Sequence, residues 1–216
     1  MKVEYIDHMG SDLSVVNAAR VSFDKESSWE HVLVSESDPD LFNGDVTCSK
    51  LRDSDAKLIQ YLATHGHWSP FAHVTVSMRW KAPIFVARQL VKHQVGLSWN
   101  EVSRRYVKTE PELYWPEKWR KSAESVKQGS SDEEFVDKYN NLYYAQITAD
   151  ELTRYYRGLL TQGLCPEQAR MFLPLNTYTE WIWTGSLYAW ARVYNQRTEP
   201  TAQQETRQLV LTLDDI

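Results

Sequence analysis

A chain of 216 residues, 42% hydrophobic and 25% charged, has the length and composition of one soluble domain with a real core. Its formal net charge of -5 excludes a general nucleic-acid binder, which carries a basic surplus, although a local anion site stays open. No apolar run approaches bilayer length, the polar start Met1-Lys-Val-Glu-Tyr5 is no signal peptide, and Cys48 and Cys165 form no disulfide framework, so a reducing, cytoplasmic setting is expected. The load of nine tryptophans and twelve tyrosines fits core packing first, then a large interface or a stacked planar cofactor.

Lys2 to Met9 alternates as an opening strand, and Gly10-Ser-Asp12 supplies a turn and N-cap for a short helix ending near Arg20-Val-Ser22. Residues 24–50 read as a loop excursion, acidic and turn-rich around Ser35-Glu-Ser-Asp-Pro-Asp40 and Phe42-Asn-Gly-Asp45, an exposed insertion rather than a lid. Asp53 to His65 has helical spacing, with Ala56, Ile59, Leu62 and Ala63 on one face and Gly66 as the cap. Val74 to Trp80 alternates as a strand, and Pro83 fits the first turn of the helix that follows. Residues 107–130 read as an irregular connection. Ser131-Asp-Glu-Glu134 has the form of a capping box, predicting a long helix to about Gln162 that buries Phe135, Leu142, Tyr143, Leu152, Tyr156 and Leu159. Glu133, Glu134 and Asp137 then form its solvated first turn. Gly163-Leu-Cys-Pro166 ends that helix. A short helix, an aromatic extended segment through Tyr178, Trp181 and Trp183, and a helix from Leu187 to Tyr194 with Asn195-Gln-Arg197 at its end follow.

Chemistry concentrates in Arg88–Tyr106. Val86, Leu90 and Val91 keep an apolar side, so the first half reads as a helix packed on a core; the pattern dissolves at Gly96 into a loop. Lys92, His93, Arg104 and Arg105 donate to anions, Glu101 accepts, and Gln89, Gln94, Ser98, Asn100 and Ser103 can do either. Cations and amides delivered by a helix into a loop suit a phosphorylated ligand, and the competing reading is a solvated, charge-rich helix end. The histidines His65, His67, His73 and His93 have no carboxylate or cysteine beside them in a ligand spacing, and Gly66 and Pro70 break any shared helical face; no metal is expected.

Lys92-His-Gln94 followed by Asn100-Glu-Val-Ser-Arg-Arg-Tyr106 resembles the signature of the flavin-dependent thymidylate synthases, the ThyX family: Arg-His-Arg, a seven-residue gap, then Ser. Ala18-Ala-Arg-Val-Ser22, Ser69-Pro-Phe-Ala-His73, Pro83-Ile-Phe-Val-Ala-Arg-Gln89, Ala169-Arg170 with Leu173-Pro174, and Thr201–Arg207 stand in the family's order, from about residue 18 to residue 207. The departures are Lys92, Gln94 and Ala72, where arginine, arginine and glutamate are usual, and a gap one residue longer before Ser103.

The resemblance implies an α+β fold, a mixed α/β single domain over residues 1–216 with a central, largely antiparallel sheet and long helices. It implies a homotetramer with shared active sites, acting on small nucleotide and folate substrates and on neither nucleic acid polymers nor membranes. The implied reaction methylates dUMP, or a related deoxyuridine nucleotide, to dTMP, with methylenetetrahydrofolate as one-carbon donor and NADPH as reductant through FAD. Implied substrate contacts are Gln89, Glu101, Ser103, Arg104, Arg105, Arg170 from a neighbouring subunit, and Arg197, with Arg197 and Ser103 catalytic. A cation at Arg197 would stabilise charge building on the base. His73, Lys92, His93, Gln94, Asn100, Glu101 and Arg192 match flavin positions, and Arg104 or Arg192 would restore the cation lost at Gln94. Two readings compete with this one: a non-catalytic nucleotide-binding module, and a metal-dependent hydrolase built on the histidines.

Overall fold

The structure is a computed structural model of the chain and describes residues 1–34, 46–123 and 130–216. In chain order the elements are β1 (Lys2–Met9), α1 (Asp12–Arg20), β2 (Glu30–Val34), β3 (Val46–Lys50), α2 (Asp53–Thr64), β4 (Thr75–Pro83), α3 (Ile84–Leu90) and β5 (Leu97–Glu101). There follow β6 (Arg120–Ser122), β7 (Ser130–Glu134), α4 (Asn141–Thr161), α5 (Pro166–Ala169), β8 (Tyr178–Ser186), α6 (Leu187–Arg197) and α7 (Gln204–Leu211). The residues pack as two compact units. One comprises Met1–Ile6, Ser77–Thr184 and Ala191–Ile216, the other Asp7–Val76 and Gly185–Trp190.

The architecture is the expected mixed α/β arrangement, with a central antiparallel sheet in the order β1-β4-β8-β5. Side-chain pairs fix the antiparallel sense of its middle. Ser77 meets Thr184 through their hydroxyls at 2.8 Å, Arg79 donates to Glu180 at 2.7 Å, and the Lys81 ammonium sits over the Tyr178 ring. Strand alternation puts Met78, Trp80 and Ala82 on one face with Trp181 and Trp183, all buried, and leaves Arg79 and Ile182 exposed on the other. Trp99 of β5 stacks on Trp181 at 4.2 Å, and Trp80 meets Trp183 edge-on at 5.4 Å. Each such ring pair adds about 0.5–1.5 kcal/mol beyond the area it buries.

In the second unit Val15, Leu62 and Val74 form a core with Leu58, Ile59, Phe71 and Leu187 packed on it. The α2 face is therefore rotated from the expected one: Ala56 and Ala63 are exposed, and Asp55 and Leu62 are buried. Burial of a carboxylate is tolerated because the Arg20 guanidinium donates to it. Asp55 is held below its ordinary value: burial pushes it up, but bonds from Arg20 and Ser27 outweigh that. Gly10, at φ +88°, turns β1 into α1 with Val74 3.1 Å from where a Cβ would stand.

Three readings from the sequence need correction. Residues 24–50 contain β2 and β3, an antiparallel pair in register from Glu30 opposite Lys50 to Val34 opposite Val46; Ser35 to Asp45, including the turn-rich acidic stretch, lies outside the described residues. Ser131 to Glu134 begins no helix. It lies in β7, paired with β6, where Lys121 donates to Glu133 at 2.7 Å and Arg120 to Ser130 at 2.7 Å. The Ser131 hydroxyl accepts from the Glu133 N–H at 3.0 Å, a local turn bond that competes with a capping box. The helix starts at Asn141, after Asn140 in the left-handed region. Asp137 stands before its first turn, accepting from the Leu142 N–H at 2.6 Å, the main cause of its lowered pKa. Ala149, Thr153 and Tyr156 form the buried stripe of α4, and Phe135 and Tyr143 are exposed. Third, the stretch after Gly96 is not loop: Gly96, at φ +75°, leads directly into β5, an edge strand beside β8.

Candidate functional site

Helix α3 is the element that positions the site, and its ends explain how. Pro83 precedes it in an extended conformation, and the next two N–H groups donate to chain outside the helix: Ile84 to Thr177 O at 2.9 Å, Phe85 to Leu175 O at 3.2 Å. Val86, Ala87 and Leu90 are buried, which fixes the rotation of the helix and turns Gln89 and, one turn on, His93 toward the ends of α6 and α7.

There Arg197, at the end of α6, is held by two acceptors. Its Nε donates to His93 Nε2 at 2.8 Å, and its Nη2 donates to the Gln89 carbonyl at 3.0 Å. Burial lowers the pKa of the guanidinium. His93 is lowered too, by burial first, then by Arg197 and Arg192, so the imidazole is neutral at physiological pH. The Gln89 amide is committed inward: Nε2 donates to Gln203 Oε1, and Oε1 accepts from the Thr206 hydroxyl at 3.2 Å. Gln203 in turn donates to Glu205 at 2.9 Å, whose other oxygen accepts from Arg120 at 2.9 Å. Gln89, Arg197, Gln203, Arg207, Asp132 and Arg120 line a polar cavity of about 620 Å³.

A second cavity, of about 360 Å³, opens on the polar side of the sheet and gathers Glu101, Arg104 and Arg170. Sequence reasoning did not name Arg79, Lys81 and Glu180, which line it as well. Glu101, closing β5, accepts from the Thr179 hydroxyl at 2.7 Å and from Trp99 Nε1 at 3.2 Å. Past β5, Ser103 opens a turn whose carbonyl accepts from Tyr106 and Val107, and its hydroxyl accepts from the Arg105 N–H at 3.3 Å. Arg105 donates to the Glu167 carboxylate at 3.2 Å, and Arg170 donates to the Glu167 carbonyl at 3.3 Å, so one residue touches both arginines.

The protomer therefore joins Gln89, His93 and Arg197 in one cluster, and Glu101, Arg104 and Arg170 in another cavity, with Ser103 and Arg105 on the turn between β5 and β6. Lys92, Gln94 and Asn100 are exposed around the Gly96 reversal, and Arg192 is close enough to His93 to act on its charge. His73 ends the 3-10 turn Ser69–His73 in the second unit and is exposed. Cys48 and Cys165 are free and exposed. Among the described residues no three or more His, Cys, Asp or Glu cluster as a metal would require, and no helix is long and apolar enough to cross a membrane. Of the supporting network, Gln203, Glu205 and Thr206 lie within the matched stretch Thr201–Arg207 but were given no role there, and Arg120 was not singled out.

A mixed α/β unit that directs arginines, amides and a carboxylate into polar cavities from a Pro-led helix and an edge strand has the makings of a nucleotide enzyme. The family model for the thymidylate synthase complementing proteins matches residues 4–216. The flavin-dependent thymidylate synthase of Thermus thermophilus is 38% identical over 218 residues, covering 99% of this chain and 70% of its own. That of Thermosipho africanus is 34% identical over 214 residues, covering 98% and 83%. Among solved structures, the UMP/dUMP methylase PolB of Streptomyces cacaoi, bound with 5-Br UMP, superposes with a TM-score of 0.77 at 26% identity over 99% of this chain and 87% of its own. The chain belongs to the flavin-dependent thymidylate synthase family.

Proposed function

We propose that this chain methylates dUMP to dTMP, using methylenetetrahydrofolate as one-carbon donor and NADPH as reductant through FAD. The family match across residues 4–216 carries the reading. In it, Arg197 faces the pyrimidine from the cavity of about 620 Å³ and stabilises negative charge that develops on the ring as a carbon is added. The nucleotide phosphate, a dianion, is met by Arg105, Arg170 and the Ser103 hydroxyl, with Arg104 adding positive potential. Glu101 accepts from the sugar, and Gln89, whose amide is turned inward, acts through its carbonyl on Arg197.

The donor set suits a flavin dinucleotide: Lys92, Gln94 and Asn100 are exposed around one chain reversal, and Arg192 supplies a cation nearby. Lys92 contributes a point charge in place of a planar fork, and the amide of Gln94 can donate to a phosphate oxygen without adding charge. When bound, the flavin supplies the reducing electrons; the chain binds it, orients it and keeps the neighbouring cations in place.

The working form in this reading is a homotetramer with shared active sites. Support comes from the division of the site: Arg170 and Arg197 line different cavities of the protomer, as a pocket completed by a second copy would have them. The exposed aromatic side of α4, with Tyr143, Tyr144, Ile147 and Tyr155, supplies surface for such packing. The test is purified protein with dUMP, methylenetetrahydrofolate, FAD and NADPH, assayed for dTMP, with UMP run in parallel because PolB is a UMP/dUMP methylase. Nucleotide binding with no product from either nucleotide would leave a binding module of the same fold.

A further inference from the structure

We propose that His93 is a positioning residue: its unprotonated imidazole clamps the Arg197 guanidinium so that one edge stays presented to the cavity that receives the pyrimidine. The inference rests on the reading of Arg197 as a nucleotide contact. Its geometry does not depend on that reading.

An arginine Nε carries one hydrogen and cannot accept, so a 2.8 Å contact from Arg197 Nε to His93 Nε2 requires a lone pair on that imidazole nitrogen. The tautomer with hydrogen on Nδ1 follows from this bond. Arg197 Nη2 bonds to the carbonyl of Gln89, four residues before His93, so both acceptors ride on one turn of chain. The Nε–Nη2 edge is thus fully used, and Nη1 with the second Nη2 hydrogen is left for the cavity that Arg197 lines. Resemblance assigns His93 to the flavin; with Nε2 engaged, only Nδ1 remains for any such contact.

The charges around His93 make the clamp pH-sensitive. Arg192 and Arg197 of α6 act on it, Lys92 is beside it in sequence, and the packed α7 brings Arg207 and Glu205, the latter already bonded to Arg120 and Gln203. Protonation would set a donor against a donor and a cation against a cation, and Arg197 would leave. Burial and the two arginines push the imidazole below its usual 6.5, so the clamp is closed at neutral pH and opens as pH falls through that lowered value.

The experiment is dUMP binding by isothermal titration calorimetry from pH 5 to 8.5 on the full chain, with FAD content read by absorbance. It is joined to NMR of the Arg197 Nε–H in protein labelled at arginine. Variants are His93→Gln, which offers an acceptor that does not titrate, and His93→Phe, which keeps a ring without one. His93→Phe should weaken dUMP binding about tenfold at pH 8, the loss of one hydrogen bond to a charged group, when samples of matched FAD content are compared. Wild type should lose affinity toward pH 5 more steeply than His93→Gln, which retains only the titration of the nucleotide's own phosphate. The Arg197 resonance should move with the wild-type titration and shift in His93→Phe. Matching acid limbs in wild type and His93→Gln, or an Arg197 resonance indifferent to both pH and His93, overturns the proposal. Wild-type protein that binds no dUMP at any pH would sink the functional reading instead, and the resonance alone would then decide the clamp.

Discussion

Replacing Glu205 by alanine should unfold the arginine cluster from behind, because no other carboxylate partner of Arg120 stands among the described residues. Glu205 is 6% exposed, and its two oxygens accept from Arg120 and from Gln203, each at 2.9 Å. Breaking a buried pair by deleting one partner costs about 3–5 kcal/mol, since a desolvated charge stays behind. The Arg120 side chain keeps 18% of its exposure, and that access to water favours the lower end, about 3 kcal/mol. In a chain of this size each kcal/mol moves Tm by about 2–4 °C, so thermal unfolding followed by circular dichroism should fall by about 6–12 °C. The companion double variant Glu205→Leu with Arg120→Met removes both charges and should recover most of that loss. A single variant within 2 °C of wild type, or a double variant no more stable than the single, would refute the reasoning that an unpaired guanidinium is what costs. Gln203 loses its acceptor in the same variant and Gln89 is bonded to Gln203, so dUMP affinity should weaken together with stability.

Trp183→Ala, at a fully buried ring against Trp80 and Trp99, should cost about 3–5 kcal/mol by chemical denaturation, and Trp99→Ala on the edge strand clearly less; the reverse order would misplace the core. Asp55→Asn should flatten the acid limb of the stability curve. The carboxyl titrates below its ordinary 3.8 in the folded chain, so its contribution is complete above that value and is lost as pH falls through the lowered one; an unchanged limb would contradict the pairing with Arg20. Changing both Cys48 and Cys165 to alanine should leave dTMP formation intact, because both are exposed and outside either arginine cluster. Activity abolished by the double change, with the fold retained, would point to a cysteine nucleophile.

What could be read in advance divides by range. Lys2–Met9, the cap at Ser11 and the apolar side of α3 at Val86 and Leu90 are local patterns, and the structure carries them as expected. Ser131-Asp-Glu-Glu134 shows the limit. The residues that write a capping box carry little strand propensity of their own, and what makes them a strand is pairing with Arg120–Ser122 just upstream, including the charge pair of Lys121 with Glu133. The long helix was legible while its start was not, because Asp137 offers its carboxylate to Leu142 five residues on, outside the usual box spacing. For the site, the candidate residues announced themselves by motif. Those that hold them did not: Thr206 touches Gln89 across 117 positions, and no spacing rule reaches that far.

The placement of the candidate residues also argues for how precision is achieved. Gln89 belongs to α3, whose first N–H groups are fixed by Leu175 and Thr177 and whose interior face is buried, and His93 follows just past its end, its N–H donating to the Leu90 carbonyl at 2.9 Å. Arg197 is fixed in turn by acceptors from that helix and from the turn that directly follows it, so a shift of α3 carries both acceptors and keeps the guanidinium's aim. Arg105 and Arg170 are handled differently. Arg105 pairs with the exposed Glu167 carboxylate, a pair worth little in water, while Arg170 bonds the Glu167 carbonyl, so in the proposed reading a dianionic phosphate displaces that carboxylate at small cost. In the proposed reading, rigid aim falls to the group that meets the pyrimidine, and exchangeable pairing to the groups that admit the phosphate. Glu167→Gln should accordingly tighten nucleotide binding without changing the clamp at Arg197, measured by calorimetry and by the Arg197 resonance; weaker binding would mean that Glu167 organises the two arginines instead of competing for them.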